Sequence, residues 1–183
     1  MNRIKRLADS YGRHIVVPWR EDAASAQRVI FCVYHPVDER ALRAGISEFE
    51  IATRSAGHNW SLIDLTHTFA EWLSGQRYAQ KYFQQPHLLS NLLPRYQDHI
   101  VAQCNAFLNG GGGDAHGVVA VHGVGSLFGL LKVKAVVDRL APLVAGRLLL
   151  FFPGSHENNN FRLLDGYDGW NYLAVCMTAD KDG

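Results

Sequence analysis

Two short stretches, Arg28 to Tyr34 (Arg-Val-Ile-Phe-Cys-Val-Tyr) and Arg147 to Phe152 (Arg-Leu-Leu-Leu-Phe-Phe), are apolar without alternation, and this limits the available folds more than any other feature of the chain. A strand with one wet face alternates apolar and polar residues, whereas a strand apolar at successive positions has to be covered on both faces. The covering layers are written between the strands. Leu42, Ile46, Phe49 and Thr53 recur at helical spacing between a capping Asp38 and the stop at Gly57. Trp60 to Leu65 predicts a second strand, and Thr68 with Glu71 has the spacing of a capping box, so a second helix is expected to begin near Thr68.

Tyr96, Ile100, Cys104 and Phe107 form a further stripe after Pro94, ending at Asn109 and the loop Gly110 to Gly113. Val118 to Val121 predicts a third strand, Leu127 to Leu140 a helix, and Arg147 to Phe152 a fourth strand stopped by Pro153-Gly154. In the tail, Phe161 to Leu164 and Trp170 to Met177 are separated by Asp165-Gly166 and Asp168-Gly169, which predicts a C-terminal hairpin or a last edge strand. The expected fold is a single three-layer α/β domain over residues 1–183, its sheet mainly parallel and its helices on both faces.

Several function classes are disfavoured by composition. Hydrophobic residues are 48% and charged residues 19%, which suits a globular domain, and a net charge of +1 gives no overall field toward nucleic acid or an anionic membrane. Binding of that kind would need a local patch. The longest apolar runs are too short to span a bilayer, and the basic start with Arg3, Lys5 and Arg6 is not followed by a signal-peptide core, so a cytoplasmic location is expected. Cys32, Cys104 and Cys176 are odd in number and widely spaced, which reads as three buried thiols rather than a disulfide framework or a zinc site. No cofactor or metal is expected, since no histidines fall at the spacing of a metalloprotease helix.

In such a sheet ligands gather beyond the carboxyl ends of the strands, here Tyr34 and His35, Asp64 and Thr66, His122 to Ser126, and Ser155 to Asn158. The sharpest motif among them is His122-Gly123-Val124-Gly125-Ser126-Leu127-Phe128-Gly129. Gly123, Gly125 and Ser126 are candidates for anion binding if bare amides open a helix there. The glycines equally suit close packing of helix on sheet, with Ser126 as a cap. A dinucleotide fingerprint needs its third glycine one position earlier, a phosphate loop needs a Gly-Lys pair, and a serine elbow needs a glycine two residues after Ser126. None is present. Asp64, His122 and Glu157 are the groups from which a hydrolase would have to be built.

The polar run through Asn158, Asn159 and Asn160 suits a turn that satisfies its own backbone, or recognition. Tyr167 and Trp170 combine an apolar body with a polar handle, which suits a protein interface and equally the rim of a core. Asn158, Arg162, Tyr167 and Trp170 are therefore the candidate partner-binding residues, and no catalytic residue is assigned.

These C-terminal residues also carry a resemblance. Tyr11-Gly12-Arg13, Pro18-Trp19, Arg28 to Tyr34, Phe49 to Thr53, Gly123 to Gly129, Leu150 to Ser155 and above all Asn158 to Leu173 are similar to the BrxB family of BREX phage-defence systems. The resemblance implies a small accessory protein encoded beside a DNA methyltransferase, a large ATPase, the alkaline-phosphatase-like protein PglZ and in many clusters a Lon-like protein. It brings no catalytic residues with it. What it implies is an adaptor that binds other BREX proteins, PglZ first among them. The alternative is a nucleotide- or nucleic-acid-binding module using Gly123 to Ser126, with Arg13, Arg20 or Arg162 as anion partners.

With no phosphate-loop lysine and no matching hydroxyl-metal site, the purified protein should turn over no ATP. Steady hydrolysis that is lost on changing Gly125 or Ser126 would overturn that expectation.

Overall fold

Every residue of the first strand is buried, as an unbroken apolar run requires, and its neighbours show how the burial is achieved. The computed structural model describes residues 2–166 and 169–179. In chain order its main elements are α1 (Arg3–Ile15), β1 (Val29–Tyr34), α2 (Glu39–Ser55), β2 (Asn59–Asp64), α3 (Thr68–Ser74), α4 (Ala79–Gln84) and α5 (Leu93–Phe107). There follow β3 (Gly117–His122), α6 (Val133–Leu140), β4 (Arg147–Glu157), β5 (Asn160–Leu163), β6 (Trp170–Asn171) and β7 (Val175–Thr178). The strands lie in the order β2-β3-β4-β1-β7, and each neighbouring pair on that path is parallel.

The two faces of the sheet are covered by different parts of the chain. Phe151 and its face-mates Ile30, Cys32 and Leu149 pack under α1 and α2, where Tyr11 meets Phe49 and Phe49 meets Phe151 edge-on at 4.9 Å. On the other face Phe31, Leu150 and Phe152 join Tyr96, Ile100 and Cys104 of α5 and Val136 and Val137 of α6. The three-layer architecture expected from the sequence is thus observed. The outer strand β2 buries only Trp60 and leaves its other residues half-buried or exposed, as a sheet edge does.

Four local expectations change. The helix expected over Leu127 to Leu140 begins only at Val133, because Val124 to Leu127 closes a single tight turn and Gly129, at φ +74, redirects the chain. The α5 stripe continues to Leu108 rather than Phe107, which is exposed, and the chain then leaves the helix through a wide turn in which Gly111 stands at φ +107. Thr68 does not form a capping box; its hydroxyl donates to the Leu65 carbonyl at 2.9 Å and also contacts the Tyr96 hydroxyl. Finally, Pro153-Gly154 does not end the fourth strand. β1 stops at the position paired with Pro153, so the residue without an N–H falls where the parallel ladder is ending, and from Gly154 onward β4 pairs antiparallel with β5. A Cβ on Gly154 would lie 2.0 Å from the Arg162 carbonyl oxygen, so only glycine permits that change of partner.

The tail contains both arrangements that were foreseen. β5 and β6 are antiparallel, and β7 is a parallel edge strand on β1. Asn158 and Asn159 form the two-residue β4–β5 turn, with φ of 50° and 63°, where asparagine tolerates the left-handed region. An N-terminal helix, not foreseen, buries Ile4, Leu7, Tyr11 and Ile15 against α2, and the buried Tyr11 and Thr53 hydroxyls are bonded at 2.6 Å. Cys32 and Cys104 are buried, while Cys176 is half-buried.

Because consecutive residues of β4 face opposite layers, Phe151→Ala and Phe152→Ala should each cost about 3–5 kcal/mol of stability in urea denaturation. A near-neutral result at either position would mean that one face of the sheet is open to water.

Candidate functional site

All four long strands run the same way, so the groups expected at their carboxyl ends do share one edge, but they divide between two places. Tyr34, His35, Ser155, His156 and Glu157 line a hollow of about 360 Å³ between the start of α1 and the ends of β1, β4 and β7. Asp64, Thr66, His122, Gly123 and Ser126 form a separate knot beyond β2 and β3.

The knot grows from the register Asp64↔His122. Asp64 accepts the Thr66 amide at 2.8 Å and the Thr66 hydroxyl at 2.5 Å, folding the chain back over the end of β3. Gly123, at φ +78, lies under that fold, and a Cβ there would be 2.5 Å from the Thr66 nitrogen. This glycine is needed for contact between two backbones. Arg43 donates to the Thr66 hydroxyl at 3.1 Å and to Glu39 at 2.7 Å, and Glu39 accepts the Tyr34 hydroxyl, so the network reaches across to the end of β1.

His122 Nε2 lies 3.4 Å from Asp64, and its ring is almost wholly buried, with Nδ1 lacking a hydrogen-bond partner. Burial pushes the imidazole below its ordinary value, Arg43 acts the same way, and together they outweigh Asp64 and Glu39. Burial would raise the Asp64 carboxyl, but the Thr66 hydroxyl and amide, His122 and Arg43 hold it below the usual carboxylate range. The pair is therefore a neutral imidazole beside a carboxylate. Covalent catalysis on such a pair needs a nucleophilic side chain within hydrogen-bond reach of the base. The nearby Ser126 hydroxyl instead donates to the Leu65 carbonyl at 2.9 Å. Glu157, at the exposed tip of β4, shares no hydrogen bond or ion pair with Asp64 or His122 among the described residues.

The surface opens between the connections that leave β3 and β4. A cleft of about 710 Å³ is lined by Phe128, Leu130, Leu131, Val133, Leu163 and Trp170, with Lys132 and Asp165 at its margin. Phe128 is 44% exposed and belongs to neither core cluster, so its ring is apolar surface left in water. Trp170 is half-buried, 5.1 Å from Phe161 and 5.7 Å from Phe31, and so serves the core rim while forming one wall. Asn158 and Arg162 are exposed on the β4–β5 hairpin, with Arg162 alternating away from Leu163, which lines the cleft. Tyr167 lies outside the described residues. Phe128 and Leu131 escaped sequence reasoning because they read as interior positions of a helix that does not form. Arg20 and Arg13 do not approach Gly123: Arg20 lies at the opposite edge of the sheet, and Arg13 on α1 beside Glu48 and Ile51.

Among the described residues, no group of three histidine, cysteine, aspartate or glutamate side chains is placed to hold a metal, and no helix is long and apolar enough to cross a membrane. A family model described as BREX protein BrxB matches residues 61–176, from within β2 into β7. No curated protein and no solved structure matches the chain.

The burial of His122 has a thermodynamic consequence of definite sign. The unfolded chain takes up a proton near pH 6.5 that the folded chain resists, so stability is full above about pH 6.5 and declines as the pH falls below it. His14, lowered first by burial and then by Arg147, adds a contribution of the same sign. Melting curves should move to lower temperature between about pH 6.5 and 5, and His122→Asn should flatten part of that dependence. A level melting temperature across this range in the unaltered protein would contradict the assignment.

Proposed function

The chain belongs to the BrxB family, a component of BREX phage defence, and we propose that it serves there as a non-catalytic adaptor that docks another BREX protein, PglZ first, in the cleft between Phe128 and Trp170. The observation that carries this reading is the exposed Phe128 ring at the mouth of an apolar cleft, a feature that costs solubility and fits a partner's side chain. Trp170 supplies a rigid wall, and Lys132 and Asp165 supply the polar margin such interfaces carry, while Asn158 and Arg162 on the adjoining hairpin stand outside the cleft itself.

Two other readings are weaker on physical grounds. Binding of an anion at Gly123, Gly125 and Ser126 meets the Asp64–Thr66 fold lying over Gly123, and the Asp64 carboxylate beside it repels negative charge. The turn also closes after four residues, so it lacks the dipole of a long helix. A hydrolase would need Ser126 to release its bond to Leu65 and Glu157 to reach the Asp64–His122 pair.

An adaptor loses function when a central apolar anchor is cut, an enzyme when one ionisable group is changed. Phe128→Asp should weaken co-purification of PglZ from cells carrying the intact gene cluster by about 2 kcal/mol or more, and remove phage protection. The isolated domain should keep its stability to about 0.5 kcal/mol, as surface changes do. Asp64→Asn, His122→Gln, Ser126→Ala and Glu157→Gln should each retain protection in a plating assay with protein levels matched. Loss of protection from any one of these four, in a stable and partner-bound protein, would end the non-catalytic reading.

A further inference from the structure

The opposite edge of the sheet carries a feature that neither the family nor the cleft accounts for. The parallel register places Asn59 beside Gly117, Val118 beside Arg147 and Leu148 beside Val29. The residues at or just before the strand starts therefore form a row across four strands: His58, His116, Arg147 and Arg28. They are drawn together by a close approach at Gly146, where a Cβ would lie 2.0 Å from the Gly117 carbonyl oxygen. The row borders a concave pocket of about 420 Å³ that Trp19 and Arg20 also line.

The charges in this pocket are unbalanced. Arg28 is held by two carbonyls, its Nη1 donating to Val144 at 3.0 Å and Ala145 at 2.8 Å, while its buried Nε has no hydrogen-bond partner. The Arg147 guanidinium lies 4.6 Å from the centre of the Trp19 ring, which stacks on His58 at 3.8 Å. Neither arginine has an ion pair with a described carboxylate. Arg147 donates to the Gly146 and Arg20 carbonyls at 3.4 Å each, and burial, then the Arg28 charge, lowers it below the ordinary arginine value. Of the nearby acids, Glu21 lines the pocket, Asp22 pairs with Arg20 at 3.0 Å, and Asp114 is bonded to Asn59 and the His116 amide.

We propose that this amino-edge pocket is a phosphate-binding site, in which Arg147 and Arg28 grip the phosphate and His58 and His116 flank it. Planar guanidiniums fixed by packing match phosphate oxygens with little further loss of freedom, and both arginines line the one pocket. The Trp19 ring is already engaged by His58 and Arg147, so the pocket recognises the phosphate rather than a stacked base. The ligand is therefore a phosphate group, whether on a free phosphate ester or along a nucleic-acid backbone. This inference is independent of the adaptor reading, since it uses the other edge of the sheet.

The test is a titration of the full-length protein by fluorescence anisotropy with a labelled DNA duplex of arbitrary sequence, and by calorimetry with inorganic pyrophosphate, at low and moderate salt. Saturable binding of either probe is expected, falling with salt, and weakened about tenfold or more by Arg147→Gln and by His116→Glu. His116 is exposed, so its variant stays informative if loss of Arg147 disturbs folding. Arg54→Gln, on the exposed face of α2, should bind as the unaltered protein does. Binding of duplex alone identifies a backbone site, and binding of pyrophosphate that competes with duplex identifies a site for free phosphate esters. Absence of binding to both, or equal weakening by Arg54→Gln, would overturn the proposal.

Discussion

The pairing of β1 with β4 is the constraint from which the rest of the structure follows. Both strands are apolar on both faces, so once they lie side by side the chain must place a helical layer above and another below. α1 and α2 supply one layer, and α3, α5 and α6 the other. The remaining strands extend the same ladder outward, and its ends are where polar side chains first become affordable. The Asp64 knot, the apolar cleft and the basic row all sit at those ends.

How much of this was legible depended on whether the information was local. The apolar runs of β1 and β4 and the spacing of Leu42, Ile46 and Phe49 specify buried strands and a covering helix by themselves, and these were read correctly. α1 also carries a local signal, an Asn2 cap before Ile4, Leu7, Ala8, Tyr11 and Ile15, but charged residues interleave with those positions and dilute the apolar stripe. Leu127 to Leu140 misled because apolar residues continue at near-helical spacing through a stretch that Gly129 redirects. Pro153-Gly154 misled for the opposite reason: signals that usually end a strand here mark only a change of partner.

The surfaces were less legible than the fold, for a physical reason. The Phe128 cleft exists only because one expected helix is shorter and one strand longer than local propensity suggests. The amino-edge row depends on register, which brings His58, His116, Arg147 and Arg28 into line although they are far apart in the chain. Gly123 shows the same limit at a single residue. Read locally it looked like the start of a phosphate cradle, and in the fold it makes room for Thr66, a contact with a residue more than fifty positions earlier.

The uninterrupted course of β4 has a mechanical consequence. Arg147 opens the strand, and Leu163 of the cleft is paired with Gly154, seven positions further on. At about 3.3 Å per residue this sets the two ends roughly 23 Å apart along a rod buried in the middle of the sheet. A group held at the lower end and a protein seated at the upper one would not touch, and neither could shift without dragging the central strand. β4 is laddered to β3 on one side and β1 on the other, so it can neither slide nor lengthen alone, and the separation of its two ends is fixed by three strands together.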